Sequence, residues 1–122
     1  MLMRMSVIVA ITMSGLLACS DDPPTGGGPV GSVNVGPNQQ FTSAHNGSTN
    51  PAVDTIPLGG SVTWRWSGNL VHSVRSIGIP PFQDSGVFSG SGTHVVTFTT
   101  AGTYEYECSV HPNTMSGRVV VR

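Results

Sequence analysis

The chain has 122 residues, enough for one domain. Charged side chains make up 9% of it, lysine is absent, and from residue 19 onward four arginines face six aspartates and glutamates, a net charge of −2. That balance excludes a nucleic-acid partner, which calls for a basic stripe, and it excludes polybasic attachment to an anionic membrane surface.

Residues 1–18 open on a short positive start, Met1-Leu-Met-Arg4, and continue as the apolar run Ser6–Ala18. The run is too short for a transmembrane helix and has the length of a signal peptide. Its end, Leu16-Leu-Ala-Cys19, resembles a bacterial lipobox, in which the cysteine becomes the lipidated first residue of the mature protein. Cys19 is therefore the expected lipidation site. The expected location is the bacterial cell envelope, lipid-anchored and facing the periplasm or the exterior. Residues 19–32, rich in Gly and Pro, are predicted to be a flexible tether between lipid and domain. They contain Gly26-x-Gly28-x-x-Gly31, a nominal dinucleotide fingerprint with neither a strand before it nor a helix after it, so the match is accidental.

Residues 33–122 are predicted to be the folded domain. Short β-rich runs fall at about 32–36, 39–44, 52–56, 61–67, 71–77, 93–100, 103–108 and 117–122, separated by Gly, Pro, Asn and Ser. No segment there carries a helical period. Alternation places Val62, Trp64 and Trp66 on one face with Thr63 and Arg65 on the other. It turns Tyr104, Tyr106 and Cys108 inward and Glu105 and Glu107 toward solvent. So many short strands predict an all-β fold, a two-sheet antiparallel Greek-key sandwich. The stretch Pro80–Ser89 reads as a loop crossing between the sheets, and Phe82 within it fits either the core or an exposed patch.

The chemistry is concentrated near the end, in Cys108-Ser-Val-His111-Pro-Asn-Thr-Met115, with His72 lying 36 residues upstream of the cysteine. One thiolate, two imidazoles and one thioether are the donors of a blue-copper electron-transfer site. The C-x2-H spacing lets Cys108 and His111 face one metal across a tight turn, and Met115 is near enough to fold back. A short loop cannot surround a metal alone, so His72 must come from a second loop. With Cys19 consumed by lipid, Cys108 is the one thiol left in an oxidising compartment, where a metal would protect it. The same arithmetic weakens an immunoglobulin-type sandwich, whose inter-sheet disulfide needs a second core cysteine. His45 and His94 have no such company and are predicted to face solvent.

This arrangement resembles the C-terminal copper loop of the cupredoxins, the plastocyanin/azurin-like family. The strand Val62-Thr-Trp64 ahead of His72 is similar to the strand preceding the first ligand histidine in that family. The resemblance implies one type 1 copper held by His72, Cys108, His111 and Met115, and an electron carrier rather than an enzyme. It implies redox partner proteins that dock at an exposed His111 edge beside Pro112, and a monomer. It also suggests that Ser73 ties the two ligand loops together, while the Val110 N–H either points at the cysteine sulfur or simply closes the turn. Two other functions stay open at this point: copper storage or delivery, and a metal-free cell-surface scaffold or adhesion domain.

Overall fold

The computed structural model describes residues 30–122. The expected signal peptide, Cys19 and the tether as far as Pro29 lie outside the described residues.

Ten strands follow one another: β1 Val30–Val35, β2 Phe41–Ser43, β3 Ala52–Ile56, β4 Ser61–Trp66, β5 Val71–Ser73, β6 Arg75–Ile77, β7 Val87–Ser89, β8 Gly92–Thr97, β9 Gly102–Glu107 and β10 Ser116–Val121. They form one sheet in the order β2-β1-β4-β8, a second in the order β3-β10-β9-β6, and a two-stranded ribbon, β5-β7. The all-β sandwich is as the alternation predicts. Pairing is mostly antiparallel, but β1 with β4 and β3 with β10 run parallel, so each main sheet is mixed.

The inward faces supply the core. Val62, Trp64 and Trp66 of β4 are buried, as are Tyr104 and Tyr106 of β9. Trp64 is the centre of an aromatic cluster. Phe82 stacks on it at 5.5 Å between ring centroids, Tyr106 meets it edge-on at 5.3 Å, and Phe41 meets Tyr106 at 4.9 Å. Phe82 thus belongs to the core packing and not to a surface patch. Edge-to-face and offset pairs of this kind add about 0.5–1.5 kcal/mol each beyond their area. Gly117 makes room for the cluster: a Cβ there would stand 2.2 Å from the Tyr106 ring.

Several sequence expectations are corrected. The first strand begins at Val30, inside the predicted tether 19–32, because residues 30–32 pair with Ser61, Val62 and Thr63 and Gly31 lies flat against Val62. The predicted strand 71–77 is two strands. Buried Val74 separates β5, which pairs with β7, from β6, which pairs with β9. Part of the presumed crossing loop is therefore strand β7. The predicted strand 93–100 stops at Thr97, where Phe98 turns into the core and exchanges backbone hydrogen bonds with the Gly59–Gly60 turn. His94 does not simply face solvent. Its ring is half-buried beside Trp64, and its Nε2 lies 2.8 Å from the Gln83 carbonyl. Glu107 is covered as well and pairs with Arg75 across β6 and β9.

One core residue works against the fold. Asp54 on β3 is 3% exposed; its Oδ1 accepts the Ser43 hydroxyl at 2.7 Å, while Oδ2 has no partner. Burial raises its pKa, opposed by the Ser43 hydrogen bond and by His45. A carboxyl with a raised pKa costs stability once the pH is above its folded value, and the cost disappears below the unfolded value of 3.8. Asp54→Asn should therefore stabilise the protein by about 1–3 kcal/mol at neutral pH. The gain should shrink toward zero in acid when thermal unfolding is compared across pH.

Candidate metal centre

His72 sits in the middle of β5, cross-strand from Phe88. Two features fix it. The Trp66 indole N–H donates to the His72 carbonyl at 3.1 Å, and the Trp66 ring packs on Phe88 at 4.9 Å. The alternating strand that fills the core therefore also holds the loop that carries the imidazole. Gly36 closes over the outer edge of the ring. Its φ is +91°, and a Cβ there would stand 2.5 Å from the Ser67 carbonyl and 3.5 Å from His72 Nε2. Any other residue would be strained there and would push the loop away. His72 is fully buried, and its Nε2 has no hydrogen-bond partner.

Cys108 continues β9 into the second loop and is fully buried with a free thiol. Its N–H donates to the Met115 carbonyl at 3.0 Å. Within the loop, the His111 N–H donates to the Cys108 carbonyl at 3.2 Å, and the Met115 N–H donates to the His111 carbonyl at 3.3 Å. Thus C-x2-H makes one closed turn and H-x3-M a second, which returns the chain to β10. The Met115 side chain is fully buried, whereas His111 is half-exposed.

The fold brings these loops together at one end of the sandwich. His111 Nδ1 lies 3.6 Å and His72 Nδ1 3.9 Å from the Cys108 sulfur, and one donor atom from each residue falls within 4.8 Å of the others. Among the described residues this is the one cluster of three or more His, Cys, Asp or Glu side chains close enough to hold a metal ion. His45, exposed on the turn after β2, and His94 on β8 are not part of it.

The cluster passes a simple test of fit. Nitrogen and sulfur donors at first-row metal bond lengths of about 2.0–2.3 Å, spread in a trigonal plane, stand about 3.7 Å apart. The observed 3.6 and 3.9 Å match that spacing. Thiolate and imidazole are also the donors that suit copper. The pKa of His72 is lowered, first by burial and then by the nearby His111, which keeps the ring neutral with a lone pair free.

A network behind the donors joins the two loops. The Ser73 N–H points at the Cys108 sulfur at 3.4 Å. The Ser73 hydroxyl accepts the Ser109 N–H at 2.9 Å and lies 2.6 Å from the Ser109 hydroxyl. Two residues from each of these serines, Arg75 pairs with Glu107. Of the two expectations for Val110, that its N–H reaches the sulfur is not met: among the described residues the backbone donor to that sulfur is Ser73, and the His111 N–H closes the turn. Asn50, which the sequence did not single out, links a third segment. Its Oδ1 accepts the N–H groups of Phe41 at 3.2 Å and of Ser116, the residue after Met115, at 3.3 Å. Its Nδ2 donates to the Gln39 carbonyl at 2.9 Å. The Asn50-Pro51 dipeptide marked a turn there, but nothing in its spacing pointed to Ser116.

The profile of the copper-binding proteins of the plastocyanin/azurin family matches residues 31–122. Amicyanin-alpha of Methylorubrum extorquens is 35% identical over 69 residues, which cover 54% of this chain and 57% of that protein. Only somewhat more than half of that relative's length is thus matched. Among solved structures, a purple cupredoxin from Nitrosopumilus maritimus superposes with a TM-score of 0.60 at 27% identity, covering 75% of this chain and 98% of that one. A copper(I) form of an amicyanin variant superposes with a TM-score of 0.60 at 24% identity, over 81% and 87% of the two chains, a likeness of fold.

Two outcomes follow from this geometry. Ser73→Ala removes the hydroxyl shared with Ser109 and should lower the stability of the metal-free protein by about 1–2 kcal/mol in denaturant unfolding. Because the His72 pKa is lower in the folded state, the unfolded chain takes up the proton first as the pH falls through the ordinary value of 6.5. The metal-free protein should therefore be most stable above that pH and lose stability below it, and His72→Gln should flatten that part of the profile.

Proposed function

The chain belongs to the plastocyanin/azurin family of copper-binding proteins, and on that premise we propose that it is a single-domain electron carrier whose copper is held by His72, Cys108, His111 and Met115. The observation that carries this reading is the buried Cys108 sulfur with one imidazole Nδ1 on either side, at 3.6 and 3.9 Å. Copper supplies a one-electron couple between Cu(I) and Cu(II) when bound. The chain's own part is to hold the donors still. His72, Cys108 and Met115 are all fully buried, on loops tied to each other by hydrogen bonds, so neither oxidation state can draw in water or rearrange the donors. A fixed donor set keeps the reorganisation on electron transfer small. The Ser73 N–H stabilises negative charge on the sulfur. Met115 would add a weak thioether donor, which favours Cu(I).

Half-exposed His111 is the electron port. The segments flanking the two histidines carry Leu70, Val71, Val110 and Pro112, all exposed, and no charged side chain lies in 67–73 or 108–115. A rim of this kind suits small apolar encounters with redox proteins, below about 1,200 Å², with little dependence on salt. Copper delivery, the alternative, needs ready exchange of the metal, and three buried donors work against that. The signal-peptide pattern and Cys19 support a lipoprotein of the bacterial cell envelope, attached to the membrane through its N-terminus and facing the periplasm or the exterior.

Copper-loaded protein should show an intense visible thiolate-to-Cu(II) band that reductant bleaches reversibly. Cys108→Ser should abolish the band, and His72→Ala should disrupt it. Met115→Leu should keep the colour and raise the reduction potential, because losing a weak donor destabilises Cu(II) more than Cu(I). A colourless protein that takes zinc as readily as copper, or a potential that falls in Met115→Leu, would contradict these assignments. Mass spectrometry of the purified N-terminus should find acyl chains on Cys19; an unmodified Cys19 would overturn the lipoprotein reading alone.

A further inference from the structure

The end of the sandwich opposite the metal centre combines three features. The first is where the chain enters. Val30 opens β1 beside Ser61 at the start of β4, and Ser61 in turn lies opposite Thr97. The twenty-nine residues before Val30, with Leu16-Leu-Ala-Cys19 among them, are therefore attached at this end. The second is a pair of exposed aliphatic tips. Leu58 crowns the turn Pro57–Gly60, closed by the Gly60 N–H on the Pro57 carbonyl at 2.9 Å, with Gly59 at φ +85° allowing the reversal. It is 58% exposed, and Ile79 is 95% exposed. Ile79 precedes Pro80, which packs against Gly102, where a Cβ would meet its ring at 3.2 Å. Gly102 opens β9, and Cys108 follows its far end, so both tips point away from the metal centre. The third is charge: no acidic side chain lies in 56–61, 78–81 or 97–102.

A lone exposed aliphatic residue is ordinary. Two at the tips of turns, at the end where a lipid-bearing segment joins and with no acidic side chain in the turns themselves, form a surface that fits a bilayer interface. We propose that Leu58 and Ile79 seat this end of the domain on the membrane, so that His111 faces outward. The inference rests on the reading of Cys19 as lipidated. From Cys19 to Val30 is eleven residues, a length of chain that reaches at most about 40 Å, so the tips stay near the bilayer. The six residues of β9 set the two ends of the domain about 20 Å apart. Small apolar contacts that would not bind a free domain suffice to orient one already held at the surface.

The test uses the full chain, purified with its N-terminal modification and mixed with phosphatidylcholine/phosphatidylglycerol vesicles. Flotation is read first, then amide hydrogen exchange of the vesicle-bound protein, against the double variant Leu58→Asp/Ile79→Asp. The expected result is that both proteins float and both show the same copper spectrum. In the wild type, amides of 58–60 and 78–79 exchange more slowly than in the variant, while those of 108–115 exchange alike. Floating protein with no difference at 58–60 and 78–79, or with protection at 108–111 instead, overturns the seating and leaves the lipid anchor standing. Failure of the wild type to float overturns the anchor and the seating together.

Discussion

A cysteine sulfur enclosed in protein, with no disulfide partner, is the constraint around which the rest is arranged. Cys108 has no exposed surface, and a thiolate in such a place is costly unless donors and a cation surround it. The fold provides the donors from two directions. β5 brings His72 and the Ser73 N–H; the loop after β9 brings His111 and returns Met115 beside the Cys108 backbone. These segments are far apart in sequence, so only packing of the two sheets and the small ribbon can assemble the site. The aromatic cluster at Trp64 and Tyr106 is thus part of the metal centre's support. Tyr106 lies two residues before Cys108 on the same inward face, and Trp66, two residues beyond Trp64, holds the His72 carbonyl.

Much of this was legible in the sequence, and for a physical reason. Alternation in Val62–Trp66 and Tyr104–Cys108 reports which side chains face inward, and the C-x2-H-x3-M spacing reports a loop that must close on itself. Both are local properties. What escaped were the features set by partners distant in the chain. The break at Val74 exists because β5 and β6 pair with different strands. Asn50 matters because the fold places Ser116 beside it, and nothing near Asn50 announces that. Glu107 alternates outward as expected, yet Arg75 on the neighbouring strand covers it. His94 lies directly opposite Trp64 and shares its inward face at the rim of the core, a pairing its own flanking residues do not announce.

The two ends of the domain divide its work. The end bearing the histidines displays apolar residues around a half-exposed ring and carries no charge in its two loops. The opposite end receives the chain and presents Leu58 and Ile79. Asp54 on β3, with one buried oxygen left unpartnered, belongs to neither of the two loops that bear the donors.

In the proposed carrier the polypeptide builds the donor cage before the metal arrives and keeps it unchanged as the charge on the metal changes. Crystal structures of the metal-free, Cu(I) and Cu(II) forms test this most directly. The expected result is one copper bonded to Cys108 sulfur and to Nδ1 of His72 and His111, with Met115 as a more distant donor. The two nitrogen–sulfur separations should stay near 3.9 and 3.6 Å in all three forms. Copper bound elsewhere, or loops 67–73 and 108–115 that refold between the forms, would contradict it.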